Sequence, residues 1–218
     1  MTLRVLALDA ALARCSAAVV ADGVVLAHRG QDSARGHVAL LPVMAREVLD
    51  DAPGPLDFIA VTVGPGSFTG IRAGLALAHG LALGLGIPVI AVTVGEALAA
   101  GLTQLQGRPL WAVVDSRRGR VFLETGGTVA AHDLTALPAP AGPIAIAGDA
   151  AITVTARLAA RDFDVMLTDA FLPTVAGVAA AAAERFAGRL PLRDAQPLYV
   201  DPPEAKLPAG GLRPPPIA

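Results

Sequence analysis

Leu3-Arg4-Val5-Leu6-Ala7-Leu8-Asp9 is an apolar run of strand length that ends on an aspartate, and Leu110-Trp111-Ala112-Val113-Val114-Asp115 repeats the pattern in the second half of the chain. In the first copy a turn through Asp9-Ala10-Ala11 leads to a second strand, Ser16 to Val20. In the other, a turn through Arg117-Arg118-Gly119 leads to Val121 to Thr125. Two halves that both open as strand, aspartate, turn and strand predict an internal duplication.

Working outward, Asp22-Gly23 is a hairpin signal and Val24 to His28 returns as a third strand. Leu41, Met44, Ala45 and Val48 recur with helical spacing, with Pro42 expected in that helix's first turn. Pro53-Gly54-Pro55 stops the helix, Phe58 to Val63 reads as a buried strand, and a Gly-rich loop from Gly64 to Gly70 opens a helix reaching about Gly84. A strand at Val89 to Val94 and a helix near Glu96 to Leu105 complete an order βββαβαβα, which predicts an α/β fold with mixed sheets flanked by helices. Gln106-Gly107-Arg108-Pro109 reads as a linker. It divides the chain into an N-terminal lobe at 1–105 and a C-terminal lobe at 106–206, with a Pro-rich tail at 207–218 expected to be disordered or extended. The second lobe reads as a degraded copy, with a Pro/Ala-rich stretch from Leu137 to Pro143, a strand at Ile144 to Ala147 and a helix at about Thr174 to Phe186.

Composition bounds the function. The 218 residues are 54% hydrophobic and 17% charged, with a net charge of −2, so a sizeable core is available and global disorder is excluded. Lys206 is the only lysine, and the arginines are spread along the chain without forming the basic patch that a nucleic-acid binder acting alone uses to neutralise phosphates. Cys15 is the only cysteine, which excludes an internal disulfide and a cysteine zinc cage and reads as a small core residue. Asp9 interrupts any signal-peptide reading of the N-terminus. Residues 73 to 95 carry no formal charge, but Gly84, Gly86 and Pro88 break them into helix, stop and strand, so no membrane span and a cytoplasmic location are expected.

The loop Gly64-Pro65-Gly66-Ser67-Phe68-Thr69-Gly70 joins a strand to a helix, where backbone N–H groups can meet an anion. It lacks the lysine of a Walker A loop and the last glycine of a dinucleotide fingerprint, and the plain alternative is a tight turn capped by Ser67 or Thr69. Asp9 and Asp115, both at strand ends, are candidates to hold magnesium through water across one cleft; the plain alternative is two turn-forming aspartates. His28, His37, His79 and His132 have no zinc-hydrolase spacing, and Ser67 lacks the second glycine of a nucleophile elbow. No catalytic residue and no metal ligand set is therefore assigned. The helix after the loop carries small residues in rows, Gly70-Gly74-Ala78 and Ala76-Gly80-Gly84, either for packing on its own sheet or for another subunit.

Several stretches together resemble one family. Leu6-Ala7-Leu8-Asp9 with Cys15-Ser16-Ala17-Ala18-Val19, His37 with Leu40-Leu41-Pro42, and Val63-Gly64-Pro65-Gly66-Ser67-Phe68-Thr69-Gly70-Ile71-Arg72 are similar to TsaB (YeaZ-type) proteins. So are Gly86-Ile87-Pro88-Val89, Asp115-Ser116-Arg117-Arg118-Gly119-Arg120-Val121-Phe122 and Pro197-Leu198-Tyr199-Val200. The resemblance implies an actin-like ATPase fold of two ribonuclease-H-like lobes. It also implies a role in making N6-threonylcarbamoyladenosine at position 37 of tRNAs that read codons beginning with A, as a non-catalytic subunit supporting a TsaD-type paralogue. By the same resemblance a TsaE-type ATPase joins the complex, tRNA is met through the complex, no cofactor is held tightly by this subunit, and Mg-ATP belongs to the complex. The pairing helices it implies are about His37 to Leu49 and Ile71 to Leu83, which name His37, Leu41, Met44, Val48, Gly70, Gly74, Leu77, Ala78 and Leu81 as the partner face, with a homodimer left open for the chain alone.

Three differences bear on this. Ala10 and Ala11 stand where the family usually has hydroxyl residues that help hold phosphate, and Gly95-Glu96-Ala97-Leu98 replaces the paralogue's H-x-x-x-H metal motif. Asp201 stands where an arginine is common. The competing reading is an independent actin-fold nucleotide hydrolase or endopeptidase-like enzyme.

Overall fold

The computed structural model describes residues 3–32 and 36–200, without the side chain of His37. The tail at 207–218 and Asp201 lie outside the described residues.

The first sheet begins with β1 (Arg4–Asp9), antiparallel to β2 (Arg14–Ala21), which is antiparallel to β3 (Val24–Asp32). Asp22 and Gly23 both take positive φ, 47° and 80°, the geometry of a tight two-residue hairpin. β4 (Phe58–Gly64) runs parallel to β1, and β5 (Val89–Thr93) parallel to β4, giving the order β3-β2-β1-β4-β5. Every residue of β4 is buried, which explains its uninterrupted apolar run. One face packs against α1 (His37–Asp51) and α2 (Phe68–Leu85) through a core that includes Leu6, Leu8, Leu41, Val48, Ile59 and Val61. α3 (Val94–Gly101) follows β5 directly and starts at a capping box of Thr93 and Glu96, two residues earlier than its sequence pattern suggests.

The second sheet contains β6 (Leu110–Asp115), β7 (Arg120–Thr125), β8 (Thr128–Asp133), β9 (Ile144–Ala147) and β10 (Val165–Leu167), ordered β10-β9-β6-β7-β8. Its pairings repeat those of the first sheet: two antiparallel neighbours on one side of β6 and two parallel ones on the other. All five strands are present, so the reduction of the second copy falls on its helices. α4 (Ala151–Ala159) covers one face through Val113, Ile146, Val154 and Leu158. The other face contributes Ala112, Val114 and Ala147 to the core of the first sheet. α5 (Val175–Phe186) crosses back to the first sheet and covers its second face, packing Val178 and Ala182 against Val5, Ala7, Phe58 and Ala60.

Two helix details bear on the sequence reading, the first by departing from it and the second by agreeing. α1 begins at His37, so Pro42 lies in its second turn and withholds a hydrogen bond from the Val38 carbonyl; Val38 is exposed, so water can take its place. α2 is long and apolar enough to cross a bilayer by length and composition, with 33% of that window buried. Gly86, at φ 68°, ends it, and β5 follows.

Candidate functional site

A cleft of about 1040 Å³ lies between the sheets. Leu12, Ile71, Phe122 and Leu198 give it an apolar floor, and Ser67, Arg72, Asp115, Arg117, Asp149 and Tyr199 give it a polar rim. This combination suits a small organic ligand or a docked chain segment.

Of the residues singled out for nucleotide binding, Gly66, Ser67 and Asp115 line the cleft, whereas Asp9, Gly64 and Thr69 do not. The Gly-rich loop is turned to internal work. A Cβ on Gly66, at φ 155°, would collide with the Ala11 carbonyl oxygen, and the Ser67 N–H donates to that same oxygen at 2.7 Å. Ser67 Oγ accepts the Gly70 N–H at 3.2 Å and so caps α2. Gly64 faces Leu198, whose N–H donates to the Val63 carbonyl at 2.8 Å.

The two strand-end aspartates form the same local bond. Asp9 Oδ1 accepts the Ala11 N–H at 3.1 Å, and Asp115 Oδ1 accepts the Arg117 N–H at 2.7 Å, each two residues on. Their surroundings differ. Asp9 is 0% exposed and also accepts from Thr62 Oγ1 at 2.6 Å, while Asp115 is exposed on the rim. The structure therefore does not place both carboxylates in one cleft, because Asp9 is sealed beneath its own turn. Next to Asp115, Asp149 Oδ1 accepts the Asp115 N–H at 2.8 Å. Burial pushes the Asp149 carboxyl above its ordinary range against that bond, and the Asp115 charge adds to the rise. Among the described residues no three His, Cys, Asp or Glu side chains come together as a metal site.

The partner face implied by the family resemblance needs correction. Leu41, Val48 and Ala78 are 0% exposed, Met44, Gly70 and Gly74 are buried, and Leu77 and Leu81 are half-buried against the same core. A Cβ on Gly74 would stand 3.5 Å from Val61 and 3.8 Å from Leu41, so this row of small residues seats α2 on its own sheet. The outward faces are different: Val38 and Val43 on α1, and Ala76, Gly80, Leu83 and Gly84 on α2. A Cβ on Gly80 or Gly84 would meet no atom within 4 Å. His37 opens α1, and its side chain lies outside the described residues.

Sequence reasoning missed the cluster at the cleft rim. The Arg72 guanidinium stacks 3.7 Å from the centre of the Phe68 ring and donates to Tyr199 Oη at 2.7 Å. His79, two turns further along α2, hydrogen-bonds the Ala195 carbonyl at 2.8 Å, so the segment 195–199 is strapped along α2 to the cleft. The signal was present in Gly70-Ile71-Arg72 and Leu198-Tyr199-Val200, but 127 residues separate the partners.

Two five-stranded sheets of one strand order, facing each other across a cleft, define an actin-like ATPase fold of two ribonuclease-H-like lobes. The family profile of TsaD, tRNA N6-adenosine threonylcarbamoyltransferase, matches residues 29–160. The tRNA threonylcarbamoyladenosine biosynthesis protein TsaB of Escherichia coli is 36% identical over 124 residues, 55% of this chain and 53% of that protein. TsaB of Bacillus subtilis is 34% identical over 121 residues, 54% of this chain and 52% of that protein. The matched stretch thus spans about half the length of these curated relatives. The structure of YeaZ from Pseudomonas aeruginosa superposes with a TM-score of 0.75 at 28% identity, covering 90% of this chain and 99% of that one. The chain belongs to the threonylcarbamoyltransferase family, on its TsaB/YeaZ branch.

Proposed function

We propose that this protein is a subunit of the machinery that forms threonylcarbamoyladenosine on tRNA, and that it works by binding a TsaD-type paralogue and carries out no transfer itself. The observation that carries this reading is the internal use of the would-be nucleotide loop. In a phosphate cradle the loop N–H groups and the strand-end carboxylate face the ligand. Here the Ser67 N–H and hydroxyl hold Ala11 and Gly70, and Asp9 is buried. This arrangement does not fit the phosphates of a magnesium nucleotide. Mg-ATP and the TsaE-type ATPase belong, in this reading, to the assembled complex, and tRNA is met there.

The proposed pairing face is the outward side of α1 and α2, where Val43 is 56% and Leu83 is 87% exposed. Gly80 and Gly84 fit this assignment. Each mid-helix glycine costs about 1 kcal/mol relative to alanine, and among the described residues nothing lies within 4 Å of a Cβ built on either one. Helix-on-helix contact with a paralogue, or with a second copy when the chain is alone, would use the close approach they allow.

The test is threonylcarbamoylation of unmodified tRNA by TsaD and TsaE supplied with a purified synthase that makes threonylcarbamoyladenylate, with and without this protein. Dependence on its addition supports the reading; equal modification without it overturns it. The roomy cleft favours a second reading, an independent nucleotide hydrolase. That reading requires the isolated chain to bind Mg-ATP stoichiometrically, and an isothermal titration without heat removes it.

A further inference from the structure

The junction between the lobes contains a carboxylate where the duplication calls for a hydrocarbon. Counting back from the strand-end aspartates, the register pairs Leu6 with Val19 in the first sheet and Ala112 with Glu124 in the second. Val19 and Glu124 are therefore equivalent positions. Val19 is fully buried, as an apolar residue should be, and Glu124 is also buried, at 6% exposure. A buried charge costs several kcal/mol unless it is well paired, so its partners carry information.

Those partners belong to the other lobe. Glu124 Oε1 accepts from Thr93 Oγ1 at 2.5 Å, and Oε2 accepts the Gly95 N–H at 3.0 Å. The carboxylate of β7 thus sits on the N-terminus of α3, where backbone N–H groups favour a negative charge. Gly95 makes this approach feasible, since a Cβ there would collide with the carboxylate. Thr93 works in both directions, donating to Glu124 and accepting the Glu96 N–H at 3.0 Å. Glu96 in turn receives Arg185 of α5 at 2.5 Å and lies 3.7 Å from Arg193. Arg185 Nε donates to the Pro191 carbonyl at 2.7 Å, at the start of the segment that leads to the cleft. On the same face of β7, one pleat away, Phe122 forms part of the cleft floor.

We propose that Glu124 is an interlobe lock: by capping α3 from the second sheet it fixes the angle between the lobes and, through Phe122 on the same strand face, the width of the cleft. The lock goes beyond the subunit role and holds whichever partner the protein serves. Its chemistry is directional, because two hydrogen bonds to one carboxylate define an orientation that apolar contact between Ala112, Val114 and the first-sheet core leaves free to slide.

The experiment measures interlobe distance. Spin labels at Ala156→Cys on α4 and Ala180→Cys on α5, both exposed, report on the two lobes by double electron–electron resonance. Cys15 does not compete for label, because it is fully buried and burial pushes its thiol up to about 11. The protein with Glu124 intact is expected to give one narrow distance distribution. Glu124→Val, which installs the residue of the first sheet, is expected to broaden and shift it, and Glu124→Gln, which keeps one acceptor, to broaden it less. Distributions unchanged in both variants overturn the lock. If Glu124→Val does not fold, Glu124→Gln decides: a broadened distribution supports the lock and an unchanged one overturns it.

Discussion

The two sheets share a strand order and differ in what covers them. The first carries α1 and α2 on one face and α5 on the other; the second carries α4 on one face and leans on the first lobe with the other. The equivalent aspartates show the consequence. Asp9 and Asp115 both close a turn by accepting the N–H two residues on, but only Asp9 is sealed from water. The duplication preserved a backbone device, and burial decided which copy can still meet a ligand. A carboxylate at a strand end in this fold is therefore a turn element first.

The largest expected effect breaks that symmetry directly. Asp9→Ala strands the Thr62 hydroxyl and the Ala11 N–H in the core, and is expected to cost about 2–4 kcal/mol. Asp115→Ala removes an exposed turn bond and should cost under about 1 kcal/mol. Urea unfolding of the two variants checks the difference, and equal losses would mean that the lobes do not differ as described.

Next in size is the contrast between the two sides of α2. Gly74→Leu forces a side chain against Val61 and Leu41, with an expected loss of about 1–3 kcal/mol in the isolated chain. Gly80→Ala points into open space and should stabilise the isolated chain by about 1 kcal/mol. If the outward face is the pairing face, Gly80→Leu leaves the chain folded and weakens association with a TsaD-type partner in sedimentation velocity. Undiminished association would move the interface elsewhere.

The smallest expected effect compares two neighbouring carboxylates by pH. Burial opposes the ionisation of Glu96, but Arg185, the Thr93 N–H and Arg193 outweigh it, and its carboxyl stays below the ordinary value of 4.5. Its contribution is present above that value and is lost as pH falls through the lower folded pKa. Glu124 is the reverse. Burial raises its carboxyl, the Thr93 hydroxyl and Gly95 N–H pull it back, and the Glu96 charge raises it further. Ionised Glu124 thus carries a stability cost that is absent below about pH 4 and grows as pH rises through the raised folded pKa. Urea midpoints from about pH 3 to 7 should show the native protein gaining on Glu96→Gln as pH rises and losing ground to Glu124→Gln. Parallel curves would contradict both assignments.

Much of the fold was legible in the sequence because buried strands announce themselves. Val5–Leu8, Phe58–Val61 and Leu110–Val114 are unbroken apolar runs, and the repeated aspartate turn exposed the duplication. β8, α4 and β10 were not read. β8 has no fully buried residue, α4 starts at Ala150 without a side-chain cap, and β10 is three residues long. The candidate site was less legible for a different reason. Helical spacing finds an apolar stripe without revealing what covers it, and for Leu41, Met44, Val48 and Ala78 the cover is this chain's own sheet. Val43 and Leu83 are apolar residues that lie outside that stripe and stay exposed. Glu124 was not singled out in the sequence, because only the register places it opposite Ala112 and against α3.

The return of α5 to the first sheet has a consequence for synthesis on the ribosome. The strands of that sheet are complete once β5 ends at Thr93, but the face formed by Val5, Ala7, Phe58 and Ala60 waits for a helix that begins at Val175. At the usual pace of translation that interval is on the order of ten seconds. Through it the nascent chain displays an oily surface to whatever surrounds the ribosome exit, and the second lobe must be made before the first can close.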